Sequence, residues 1–64
     1  MCLASVYKER HGARELILNN VQRIDIVDGQ IVLTDLMERR VAVEGELASV
    51  DLVGNTVVVR ESAQ

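Results

Sequence analysis

Proline, phenylalanine and tryptophan are absent from these 64 residues, and cysteine, histidine and tyrosine occur once each, as Cys2, His11 and Tyr7. A single cysteine excludes any disulfide within the chain. A domain of this length buries only about 60% of the surface it exposes unfolded, and small domains usually add disulfides, a metal or a partner subunit. For this chain a metal or a partner remains. The scarcity of aromatics means that Val, Ile and Leu must build the core, each burying a modest area. Yet apolar residues make up 48% of the chain. So much aliphatic surface on so short a chain points to cover by a second copy.

Basic charge is also scarce. Seven Lys and Arg face ten Asp and Glu, a net charge of −3. Phosphate recognition needs clustered cations, and Arg39-Arg40 is too short to form a stripe. Neither a nucleic-acid partner nor a polybasic membrane contact is expected. No stretch approaches the roughly 20 apolar residues of a membrane-spanning helix. The opening "MCLASVYKERHGARE" has neither a basic start nor an apolar run of export-signal length. With one unpaired thiol, the expectation is a reducing cytoplasm.

What is present is β pattern almost throughout. "CLASVYK" meets a break at His11-Gly12, "ARELIL" follows, and Asn19-Asn20 read as turn formers. "VQRIDIV" and "QIVLTDL" flank Asp28-Gly29, a strong two-residue hairpin signal. It predicts pairs Val27–Gln30, Ile26–Ile31 and Ile24–Leu33, with the large aliphatics on one face. "MERR" reads as a turn. "ASVDLV" and "TVVVR" flank Gly54-Asn55, which predicts Val53–Thr56, Leu52–Val57 and Val50–Val59. Gly45, inside "VAVEGEL", suggests a bulge or bend. With no repeat or linker, residues 1–64 read as one all-β domain. The expectation is a curled antiparallel sheet or small SH3-like or Sm-like barrel of about six short strands, with "ESAQ" as a polar tail.

The candidates for chemistry are few. His11 stands alone beside a turn glycine, and a metal site needs convergent ligands; a solvated turn histidine is expected. Asp35 and Asp51 are the acids embedded in apolar runs. Strand alternation places each on a polar face or strand end, where Asp also accepts backbone hydrogen bonds. No Ser/His/Asp set, HExxH or phosphate loop is present, so no enzyme is expected.

Cys2 is different because of where it sits. A lone cysteine is most often a small buried hydrophobe, but at the chain start it brings backbone nitrogens along with its sulfur. If Met1 is removed, as the small cysteine side chain favours, the Cys2 amine and thiolate close a five-membered chelate ring. If Met1 stays, its amine, the Cys2 amide nitrogen and the thiolate form two fused rings. Such tetragonal nitrogen-sulfur sets suit Ni(II) or Cu(II), and in a reducing cytoplasm copper would be Cu(I), which leaves nickel. One bidentate terminus fills half a square plane, and two copies on a two-fold axis fill it. A small protein- or RNA-binding barrel in which Cys2 merely packs is the alternative. A thiol redox protein ranks last, for want of a resolving cysteine.

The whole chain resembles the CooT-type nickel-binding proteins associated with maturation of the nickel-dependent carbon monoxide dehydrogenase. The resemblance is carried by "MC" ahead of "LASVY", "NNV" leading into "IDIVDGQIVLTDL", "VEGELASVDL" and a final "NTVVV", over residues 1 to 60. It implies a homodimer of small β-barrels, Ni(II) as the metal with Cys2 as its ligand, and a nickel-enzyme client.

Overall fold

The computed structural model describes residues 2–61. Its first hairpin forms where the sequence breaks. β1 (Ala4–Arg10) turns at His11-Gly12 into β2 (Ala13–Val27). His11 and Gly12 have φ of 53° and 82°, as a type I′ turn requires of both central residues. Asp28-Gly29 repeats this turn, with φ of 51° and 80°, and leads into β3 (Gln30–Asp35). The register of that hairpin is the expected one: Val27–Gln30, Ile26–Ile31 and Ile24–Leu33 pair. β4 (Arg40–Asp51) and β5 (Thr56–Glu61) follow.

There are five strands instead of about six, because two expected boundaries lie inside longer strands. "ARELIL" and "VQRIDIV" form the single 15-residue β2. Asn20 takes a left-handed φ of 55°, but there the chain bulges rather than reverses. The register with β1 slips between Ala4–Val21 and Val6–Leu18. The first half of β2 pairs with β1 and the second half with β3, so the bulge is the corner between two neighbours. β4 likewise joins "VAVEGEL" to "ASVD" through the bend at Gly45 and a register shift between Leu47 and Ser49.

The last hairpin departs from expectation. Asp51 pairs with Thr56, and Val50 with Val57, so the loop holds Leu52 to Asn55 and the register is shifted by two. The cause is local. One oxygen of the Asp51 carboxylate accepts the backbone N–H of Val53 at 3.1 Å and of Gly54 at 2.9 Å. This side-chain turn competes with the two-residue hairpin. A shift of two preserves which face each side chain occupies, so the β5 valines still reach the core.

The sheet closes into a barrel in the order β1-β2-β3-β4-β5. Four seams are antiparallel, and the β1–β5 seam is parallel, running from Ser5–Thr56 to Glu9–Arg60. Parity demands this. An odd number of strands, each reversing the last, brings the first and fifth together in the same direction. Inside lie Val6, Val21, Ile31, Leu33, Val57 and Val59, an aliphatic core as the composition implied. Val58 faces the other way and is also buried, flanked in register by Tyr7 and Ser49. β5 is therefore covered on both faces, which explains its unbroken valine run.

Candidate metal centre

Cys2 is free and exposed, and with Leu3 it precedes β1 outside the ladder. The chain just beyond it is fixed on two sides. Ala4 pairs with Val21 of β2. The Ser5 N–H donates to the carbonyl of Asn55 at 2.9 Å, and the Ser5 hydroxyl donates to Asn19 Oδ1 at 2.8 Å. The thiol thus leaves the barrel from a held position, beside the β4–β5 loop. It helps to line a groove of about 270 Å³, whose apolar walls include Leu3, Ile24, Val50 and Leu52. Arg23 and Asp51 also border the groove, and both are engaged already. Arg23 Nε lies 2.9 Å from Asp25, and Asp51 caps its own loop.

Among the described residues no group of three or more His, Cys, Asp or Glu could hold a metal ion. A metal at Cys2 would therefore take backbone nitrogen or donors from a second copy to complete its coordination. The thiolate and the amides flanking it are donors of that kind, so the residues present fit a nitrogen-sulfur site. Met1, whose amine is one candidate donor, lies outside the described residues. His11 is not brought to the site. It occupies the turn beyond the far end of the seven-residue β1, a strand that is itself roughly 23 Å long.

The two strand acids have structural work. Asp35 is 1% exposed and organises the turn from Leu36 to Arg39. Its carboxylate accepts the N–H of Met37 at 2.9 Å, the N–H of Arg39 at 2.8 Å and Arg39 Nε at 2.7 Å. Its backbone N–H donates to the Arg39 carbonyl at 2.9 Å. Burial pushes the carboxyl up, but the backbone and guanidinium hydrogen bonds from Arg39, the Arg39 charge and the Met37 N–H outweigh it. Asp35 therefore titrates below its ordinary range. The same turn is tied to β2 by the Leu36 N–H, which donates to the carbonyl of Asn20 at 2.8 Å. The β2 bulge and the Asp35 turn thus brace each other.

The sequence pattern assigns Leu52 and Val53 to a strand, whereas the structure puts them on the loop beside the groove. The signal for the loop is Asp51, two residues ahead of Val53, in position to cap a longer turn.

The fold and the site together define a class: a small closed β-barrel with one free thiol ahead of its first strand. No helix among the described residues is long and apolar enough to cross a membrane. A CooT-assigned chain from Carboxydothermus hydrogenoformans, known from a crystal structure, shares the fold. It is 18% identical, with a TM-score of 0.90, over 97% of this chain and 100% of that one. No curated protein matches. The family described as CO dehydrogenase accessory protein CooT matches residues 1–60, and the chain belongs to that family.

Proposed function

We propose that this accessory protein binds Ni(II) as cargo. In this reading it is a homodimer that holds the ion between two Cys2 thiolates and adjacent backbone nitrogens, for delivery to a nickel enzyme such as carbon monoxide dehydrogenase. One observation carries the reading. The chain's only thiol is free, exposed and next to the N-terminus, where a single residue supplies both sulfur and nitrogen. Membership in a family of dehydrogenase accessory proteins supplies the client class.

The surroundings of Cys2 suit a carrier. The residues after it are anchored through Ala4 and Ser5, which presents the thiol from a defined point. Its exposure leaves room for an incoming ligand from a client to displace a backbone donor. A closed, buried site would favour retention instead. The absence of a third side-chain ligand within the described residues of one copy fits a bond set that can be exchanged. Metal bound across two copies would also stabilise the dimer, by about 2.7 kcal/mol at a free concentration one hundred times Kd.

The test is an anaerobic nickel titration followed by absorbance. A thiolate-to-nickel charge-transfer band is expected to saturate at about one nickel per dimer, because two termini together provide four donors. Cys2→Ser removes the band. If the variant shows the wild-type spectrum and stoichiometry, Cys2 is not the ligand.

A further inference from the structure

At the end of the barrel away from Cys2, two charged side chains take over from core valines. On β1, Lys8 follows Val6 on the inward side, and on β5, Glu61 follows Val59. Lys8 pairs with Val59 across the parallel seam, so the two occupy neighbouring inward positions on adjacent strands. Both are half-buried. They border a pocket of about 420 Å³, which is larger than the groove at Cys2 and shares no residue with it. Ile17, Val41 and Val43 supply its apolar wall, and the exposed Glu44 stands at its edge. Inward lysine and glutamate are uncommon unless paired, and neither is fully satisfied here. Lys8 makes no ion pair among the described residues, although Glu15 is its cross-strand neighbour. Glu61 Oε1 is buried without a hydrogen-bond partner. Arg10 Nε lies 3.2 Å from it, close enough for attraction but not aligned to donate.

Most ligand classes meet an obstacle in this pocket. A divalent cation lacks donors, since no three His, Cys, Asp or Glu side chains converge among the described residues. Phosphate and other multiply charged anions would face Glu44 and Glu61 beside a single lysine. A purely apolar guest would cover Lys8 and Glu61 and leave both without partners, which is the costly arrangement. A ligand with an anionic end, an N–H-donating end and an aliphatic body meets every group. We propose that the pocket binds a zwitterion of that kind, an aliphatic α-amino acid. Its carboxylate pairs with the Lys8 ammonium, its ammonium donates to Glu61 Oε1, and its side chain packs on Ile17, Val41 and Val43. Binding brings no net charge into the pocket, and each half-buried ion gains a partner. The volume lies within the range of small-molecule pockets, roughly 300–1,000 Å³. The site is independent of the nickel reading, because Cys2 lies outside it.

The test is a titration of the full ¹⁵N-labelled chain, in chelator and reductant, followed by amide chemical shifts. L-Leucine is the probe. 4-Methylpentanoate, which is leucine without its amine, and 3-methylbutylamine, which is leucine without its carboxylate, are the comparisons. Saturable shifts centred on Lys8, Val43 and Glu61 are expected with leucine, and binding at least tenfold weaker with either analogue. Lys8→Met should weaken leucine at least tenfold and leave 3-methylbutylamine unaffected. Glu61→Gln should weaken leucine at least tenfold and leave 4-methylpentanoate unaffected. The spectra themselves report whether each variant is folded, and if one is not, the other and the analogue series carry the comparison. Cys2→Ser should bind leucine as wild type does. Absence of a saturable shift with leucine overturns the inference, as does a folded K8M chain that binds leucine normally. Equal affinity for leucine and 4-methylpentanoate overturns it too, because the pocket then recognises a carboxylate only. Loss of leucine binding in C2S has the same effect, since the amino acid would then sit at the thiol.

Discussion

Gly45 offers the sharpest test of how the barrel closes. It has φ of 149°, in a region that residues with a side chain rarely enter, and it pairs with Glu61 at the end of β5. A Cβ built there would run into the backbone carbonyl oxygen of Arg60. That carbonyl is part of the β4–β5 ladder and cannot swing aside as a flexible side chain would. Gly45→Ala therefore has two costs. The backbone strain is about 1–3 kcal/mol, and relief of the overlap adds about 1–3 kcal/mol of displaced structure. Gly29→Ala separates them. Gly29 also has positive φ, at 80°, but a Cβ there meets nothing within 4 Å, so only a left-handed penalty of about 1–2 kcal/mol applies. Domains of this size have roughly 3–10 kcal/mol in total, so G45A lies near the threshold of folding and G29A well above it. Urea unfolding followed by circular dichroism, at one fixed protomer concentration, measures both. If G45A unfolds at the same urea concentration as G29A, the β4 bend does not depend on glycine and the barrel closes without the tight Gly45–Arg60 approach.

Three further outcomes follow from the site and the core. Leu33 has no exposed surface and lies in the central cluster, so Leu33→Ala is expected to cost about 2–5 kcal/mol, read as a lowered melting temperature; a loss below about 1 kcal/mol would mean the cavity collapses. The Asp35 carboxyl titrates below its ordinary value of 3.8, so its contribution is complete above that value and disappears as pH falls through the lower folded value. Asp35→Asn should weaken the protein at neutral pH and flatten the acid limb of its stability curve, and an unchanged acid slope would contradict the assignment. In nickel-loaded samples, adding a chelator should lower the melting temperature of wild type and leave that of Cys2→Ser unchanged.

Local chemistry was legible where a single short-range device acted alone. At Asp28-Gly29 the turn type, the strand pattern and the aliphatic pairs agree, and all the expected pairs formed. At Gly54-Asn55 two local devices competed. The dipeptide signal pointed to a tight hairpin, whereas Asp51 captured the amides of Val53 and Gly54 and lengthened the loop. The Asn19-Asn20 preference for left-handed backbone was real at Asn20, but it was used for a bulge. Whether such a residue turns or bends a strand depends on which neighbours each half will find.

The sequence by itself determined the class of core, through a nearly aromatic-free aliphatic composition, and the position of the thiol, which no folding can change. Alternation and turn residues act over a few bonds, so they also settled the all-β character and the Asp28-Gly29 hairpin. Tertiary structure alone decided the parallel β1–β5 seam, because closure joins segments some fifty residues apart and its direction follows from the number of strands. It also decided that Asp35 is buried against the barrel and that the β4–β5 loop, whose length Asp51 sets locally, lies beside Cys2. Both are consequences of which distant surfaces meet.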